Sequence, residues 1–155
     1  MRKNNKGFSL AEFVIVIAIL GALVGVIAPN YLKYVDRSKR AMDVANAKQI
    51  ADVMKILFIS EDAGAYPDTF TWDKNTSIDG NDIYKKMFQE FGDVPISEFN
   101  EDLMWRIYYG VDTDGYYSVK KIYMLESSGD TMAYELYPNS ETFLGTGEKV
   151  ALAMP

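Results

Sequence analysis

The feature that most constrains this chain is an uncharged, strongly apolar run from Phe13 to Ala28. As a helix its sixteen residues cover about 24 Å. Extending the run back to Phe8 and on to Leu32 is enough to cross the roughly 30 Å hydrocarbon core of a bilayer. That extended span contains Glu12, at a place where a charge costs on the order of a few kcal/mol. The sequence therefore predicts a membrane helix whose one carboxylate has a function.

A basic leader precedes the span, and its positive charge favours the cytoplasmic side of a membrane. An ordinary cleaved signal peptide is the alternative, because Ala22 and Ala28 supply small residues after an apolar region. Two observations oppose this alternative. The helical pattern continues past Ala28 without a linker, and Glu12 lies inside the apolar block.

No lysine or arginine lies between Lys6 and Lys33, so the chain offers Glu12 no cationic side chain nearby. Cleavage after Gly7 would create an α-amine at Phe8, four residues before Glu12 and on the same helical face. A second candidate partner for Glu12 is the α-amine of a neighbouring subunit. Alternatively, Glu12 lies in the headgroup zone of the membrane and needs no such partner.

The block Gly7-Phe8-Ser9-Leu10-Ala11-Glu12 resembles the processing site of type IV prepilins and pseudopilins. The resemblance implies that a prepilin peptidase cuts after Gly7 and methylates the new amine of Phe8. It implies a role for Glu12 in subunit assembly, and Pro29 matches the proline that commonly interrupts the pilin helix. The absence of cysteine departs from many Gram-negative pilins, whose C-terminal loop is closed by a disulfide.

The same resemblance implies a structural subunit of a type IV pilus or pseudopilus-like filament, not an enzyme, that polymerises through its N-terminal helix. The implied partners are other pilins, a prepilin peptidase, the assembly platform of the inner membrane and the lipid bilayer. The head domain would lie outside the cytoplasm, first on a single membrane span and then on a surface filament. The sequence does not separate a major pilin from a minor pilin or from a secretion or DNA-uptake pseudopilin.

Gly21 and Gly25 belong to a series of small residues at helical spacing within the span. Such spacing lets two helices approach closely in an apolar medium. Small residues are also simply frequent in membrane helices. We expect the two glycines to contribute to assembly, with this general frequency as the alternative explanation.

The helix is expected to continue, kinked or locally melted at Pro29, through an amphipathic half to about Phe58. One stripe of this half is predicted to face the head domain: Tyr31, Val35, Met42, Ala45, Val53, Ile56 and Leu57. A basic face is predicted to point outward: Lys33, Arg37, Arg40, Lys48 and Lys55. The predicted division is a leader at 1–7, an assembly half at 8–30, an amphipathic half at 31–60 and a head domain at 61–155.

The head domain is predicted to be a small antiparallel sheet packed on the amphipathic half, which gives an α+β fold. Residues 66–82 are rich in polar turn formers and predict a loop, followed by a short helix to about Phe91. Three strands are predicted, separated by two hairpin turns: Trp105–Val111, Tyr116–Leu125 and Thr131–Tyr137. The tail from Gly145 to Pro155 gives no clear pattern.

Composition limits the chemistry available to the chain. There is no cysteine and no histidine, which removes the thiolate nucleophile and the commonest general base. Residues 1–55 carry nine Lys and Arg against four Asp and Glu, whereas residues 56–155 carry seven against eighteen. A head with net charge −11 does not suit nucleic acid, and a basic helix beside an acidic body suits repeated self-association.

Two features of the head permit a ligand-binding interpretation. Asp112 and Asp114 begin a segment similar to a calcium loop, although a twelfth-position glutamate is missing and a plain hairpin turn is the favoured interpretation. No other cofactor is predicted. The strand tyrosines suit a carbohydrate-binding surface, but by default they belong to the core and the sheet face. The alternative function is therefore a membrane-anchored extracellular binding module that does not polymerise.

Overall fold

The computed structural model describes residues 7–60, 69–77, 82–89 and 93–152. The chain divides into two compact units, Met1–Asp36 and Arg37–Pro155. In the first unit the described residues from Leu10 onward form the beginning of helix α1, with almost every side chain exposed. The second unit contains the rest of that helix, the sheet and two short helices.

Helix α1 runs from Leu10 to Ser60, 51 residues, with Pro29 inside it. The expected long helix is confirmed, and no melted turn interrupts it at the proline. The other helices are α2, Asp82–Phe88, and α3, Glu141–Gly145. The strands are β1, Thr69–Trp72; β2, Met104–Val111; β3, Tyr117–Leu125; β4, Met132–Tyr137; and β5, Val150–Ala151.

The five strands form one antiparallel meander in the order β1-β2-β3-β4-β5. The three predicted strands are confirmed to within one residue at each end. The loop predicted over 66–82 is wrong at Thr69–Trp72, because this short segment pairs with β2 and places Trp72 opposite Trp105. The predicted end of the second helix at Phe91 lies outside the described residues.

The main core lies between one face of α1 and one face of the sheet. The helix contributes Val44, Ala47, Ile50, Ala51, Met54 and Phe58, all buried. The sheet contributes large aromatics, among them Trp72 and Trp105, whose rings stack at 5.7 Å. A smaller cluster around Tyr108, Tyr123 and Leu125 is covered by Val150 and Leu152. The long helix packed on an antiparallel sheet confirms the α+β fold class.

The predicted core stripe of α1 is wrong. Met42 and Ile56 are 50% and 66% exposed, and Val53 and Leu57 are only half-buried. The residues that do face the sheet lie on nearly the opposite side of the helix at 100° per residue. They include Ala47 and Ala51, which suit a core already filled by large aromatics from the sheet. Arg40, predicted to point outward, is half-buried with its guanidinium 5.6 Å from the Phe99 ring centre.

Candidate assembly site

Helix α1 begins with a reciprocal pair of hydrogen bonds between Ser9 and Glu12. The Ser9 amide donates to the Glu12 carboxylate at 2.8 Å, and the Glu12 amide donates to the Ser9 hydroxyl at 3.2 Å. This is the capping box, in which the residue before the helix, Ser9, and the third helical residue, Glu12, each accept a hydrogen bond from the other's backbone amide. Sequence reasoning missed this pair, although the spacing Ser-x-x-Glu predicts it.

The residues before the cap are outside the helix. Gly7 and Phe8 have no helical structure, and the Phe8 side chain is 82% exposed. A peptide bond that is outside regular structure can enter the active site of a protease without unfolding of the helix. The capping box thus leaves the Gly7–Phe8 bond just outside the helix that it starts.

The first half of α1 has the length and the apolar composition that a helix needs to cross a membrane. Its large side chains are exposed along the whole stretch from Leu10 to Leu32. A Cβ added at Gly21 or Gly25 would meet no atom within 4 Å. The two glycines therefore lie on an open helix surface, and the structure brings neither of them together with Glu12 or Pro29.

The exposed face of α1 in the second unit also carries apolar residues. Met42, Ala45 and Ile56 lie within about 60° of one another around the helix and point away from the core. They are members of the stripe that the sequence assigned to the head domain. The helix thus has two apolar faces in this region, one covered by its own sheet and one open.

A buried carboxylate joins α1 to the segment before β2. Asp43 is fully buried and accepts hydrogen bonds from the Ser97 hydroxyl at 2.7 Å, the Glu98 amide at 2.8 Å and the Phe99 amide at 3.2 Å. Burial raises the pKa of Asp43 in spite of these donors. No pattern in the sequence indicates this contact, because the partners lie more than fifty residues away.

Asp112 and Asp114 lie in the hairpin between β2 and β3. The Gly115 amide donates to the Asp112 carbonyl at 2.9 Å, and Gly115 has a φ of +82°. The Asp112 carboxylate pairs with the ammonium of Lys120, which lowers the pKa of Asp112. The favoured interpretation as a hairpin turn is confirmed. Within the described ranges no three acidic side chains gather in a group that could hold a metal ion.

The strand tyrosines belong mainly to the interior. Tyr108, Tyr109 and Tyr123 are at most 8% exposed, and Tyr117, Tyr134 and Tyr137 are half-buried against the core. Tyr116, 73% exposed, precedes β3. The core interpretation of these residues is therefore confirmed, and the sheet does not present them together as a ligand-binding surface.

Comparison with known proteins supports the resemblance of the N-terminal block to type IV prepilins. A family model described as the prokaryotic N-terminal methylation motif matches residues 2–28. The type IV major pilin protein PilA of Myxococcus xanthus is 38% identical over 59 residues, which is 38% of this chain and 27% of that protein. A fimbrial protein of Moraxella nonliquefaciens is 33% identical over 114 residues, 71% of this chain and 68% of that protein.

A third relative is the prepilin peptidase-dependent protein A of Clostridium perfringens. It is 32% identical over 103 residues, 66% of this chain and 71% of that protein. No solved structure matches the chain. A capped apolar helix that continues onto a small antiparallel sheet, with a methylation motif at its start, defines a structural subunit of a pilus. The chain belongs to the type IV pilin family, and the relatives from Myxococcus xanthus and Moraxella nonliquefaciens are named as a pilin and a fimbrial protein.

Proposed function

We propose that the precursor is cut between Gly7 and Phe8 by a prepilin peptidase and that the amine of Phe8 is then methylated. The observation that carries this proposal is the position of the bond, directly before a helix that Ser9 and Glu12 cap. The match of residues 2–28 to the methylation motif supports it.

Intact-mass measurement of the chain recovered from membranes and from filaments tests the processing step. We expect a species that begins at Phe8 and carries one added methyl group. A chain that retains residues 1–7 in the filament, or that begins after Ala28, would contradict the proposal. A Gly7→Ala variant is the control for the peptidase substrate. It changes the residue on the leader side of the bond and leaves the capping pair, Ser9 and Glu12, in place.

After processing, the apolar half of α1 serves as a membrane anchor and then as an assembly surface. Transfer from lipid to neighbouring helices keeps its exposed side chains away from water, so this step need not expose apolar surface. Gly21 and Gly25 would allow close approach of those helices, and Met42, Ala45 and Ile56 provide an open apolar surface on the second unit. This open surface favours assembly over a monomeric binding module.

Glu12 would bind the Phe8 amine of its own or a neighbouring subunit. One carboxylate oxygen accepts the Ser9 amide, and a carboxylate has acceptor sites to spare for a cation. Capping and amine binding are therefore compatible. In a desolvated interface such a charge pair would fix the axial position of one subunit relative to the next.

Three variants separate the two roles of Glu12. Glu12→Ala removes charge and cap and should abolish incorporation into filaments with membrane insertion intact. Glu12→Gln keeps an acceptor for the Ser9 amide but has no charge, and it should also fail to assemble. Ser9→Ala removes the hydroxyl cap at a cost of about 1 kcal/mol and should still assemble. Normal filaments from Glu12→Gln would show that the charge is not needed.

We further propose that the head lies outside the cytoplasm while the basic leader stays inside. The absence of native cysteine makes this simple to test by single-cysteine labelling. Ser128→Cys, on an exposed turn, should react with a membrane-impermeant maleimide in intact cells. Lys3→Cys in the precursor should react only after the cells are permeabilised, and the opposite pattern would overturn the orientation.

A further inference from the structure

The open face of α1 in the second unit is bordered on one side by three basic residues. Arg37, Lys48 and Lys55 lie within about 20° of one another around the helix. All three are exposed, and the charge of Lys55 also interacts with the Asp112 carboxylate in the β2–β3 hairpin. We call these residues the basic edge.

The other border of the same face is acidic. It is formed by the segment before β2, where Glu98, Glu101 and Asp102 are exposed. Lys74 compensates only part of this charge, since its Nζ lies 2.6 Å from Asp102 but 3.9 Å from Glu101. Lys39 also lies beside this segment. We call Glu98, Glu101 and Asp102 the acidic edge.

The two edges cannot meet within one copy of the chain. The buried hydrogen bonds of Asp43 hold residues 97–99 against α1, about 120° to 140° from the basic edge across the face that the sheet covers, and about 220° to 240° across the open face. On the other side, Asp52 and Lys55 border the β2–β3 hairpin and the end of β4. The apolar residues Met42, Ala45 and Ile56 lie on the open arc between the edges.

Opposite charges on two separate edges of one molecule suit a partner that carries the same two edges. We infer that the acidic edge of one copy docks on the basic edge of the next. Such a head-to-tail contact leaves one edge of each sign free and therefore repeats along a polymer. It also brings opposite charges together in heads whose net charge would otherwise cause mutual repulsion.

This inference rests on the proposed filament, and charge reversal in the full-length chain tests it. Lys48→Glu gives a copy with a weakened basic edge, and Glu98→Lys gives a copy with a weakened acidic edge. We expect each variant alone to reduce the filament yield at least about tenfold, because like charges then face each other. Co-expression of the two variants should restore filaments that contain both chains, and the double variant should recover yield in a single chain.

The matched controls are Lys85→Glu and Glu141→Lys, which make the same charge changes at exposed positions outside the two edges. They should leave the filament yield unchanged. Thermal unfolding and membrane insertion of every variant identify a folding defect. Wild-type filaments with unchanged yields for Lys48→Glu and Glu98→Lys would overturn the docking contact alone. A wild-type chain that inserts into membranes but enters no filament would overturn the proposed function as well.

Discussion

Asp43 and Ser97, 54 positions apart in the chain, form a fully buried hydrogen bond of 2.7 Å. The same carboxylate accepts the amides of Glu98 and Phe99, so one side chain holds a whole segment on the helix. That segment carries Glu98 of the acidic edge, and its Phe99 ring lies 5.6 Å from the Arg40 guanidinium. A single helical residue therefore decides where a charged surface of the head lies.

Loss of this carboxylate should destabilise the head. Asp43→Ala leaves three donors without their acceptor, and we expect the free energy of unfolding to fall by about 2–3 kcal/mol. Ser97→Ala removes one donor to Asp43 and the acceptor of the Asn100 amide, and it should cost about 1–2 kcal/mol. Denaturant unfolding of the detergent-solubilised full-length chain, followed by tryptophan fluorescence, measures both. Asp52→Ala, at an exposed position on the same helix, should change stability by less than about 0.5 kcal/mol.

The raised pKa of Asp43 predicts a pH dependence with a definite sign. Burial makes the charged form less favourable in the folded state than in the unfolded state, where the pKa is near 3.8. Stability of the wild type relative to Asp43→Asn should therefore rise as the pH falls through the folded-state pKa and level off below about 3.8. Unfolding of both proteins across this range checks the prediction. A relative stability that instead rises with pH would contradict it.

The stacked pair of Trp72 and Trp105 should be a major source of stability. Both rings are almost fully buried, 6° from parallel, and the Trp72 indole donates to the Pro95 carbonyl at 3.0 Å. Trp72→Ala should cost about 3–5 kcal/mol, and Trp72→Phe should cost about 1–3 kcal/mol because the carbonyl loses its donor. Thermal unfolding measures both effects. Tyr116→Ala, at an exposed position, is the control and should leave stability nearly unchanged.

The β2–β3 hairpin should depend on glycine at position 115. Its φ of +82° is unfavourable for any residue with a Cβ, so Gly115→Ala should cost about 1–2 kcal/mol. Gly129 lies in the next turn at a negative φ, with no atom within 4 Å of an added Cβ. Gly129→Ala should therefore be neutral or slightly stabilising. Equal losses from the two substitutions would contradict the conformational explanation.

Local patterns predicted the longer elements well. Strands β2, β3 and β4 are runs of β-branched and aromatic residues between clear turn residues, so their bounds were predicted closely. Strand β1 has only four residues in a polar region, and it forms by pairing with β2, which places Trp72 opposite Trp105. The Ser-x-x-Glu spacing predicts the Ser9–Glu12 cap. No local spacing predicts the Asp43 contact, since its hydrogen-bond partners are distant from it in the sequence.

By itself the sequence determined the long apolar helix, the methylation-motif block and the α+β class, because each depends on neighbouring residues and local periodicity. Only the tertiary structure decided which side of α1 is buried. Two apolar stripes run along the second half of this helix, and periodicity cannot rank them. The sheet covers the stripe with Ala47 and Ala51, whose small side chains fit against its aromatics, and leaves Met42 and Ile56 open. The open face follows from packing between distant residues, which no local pattern contains.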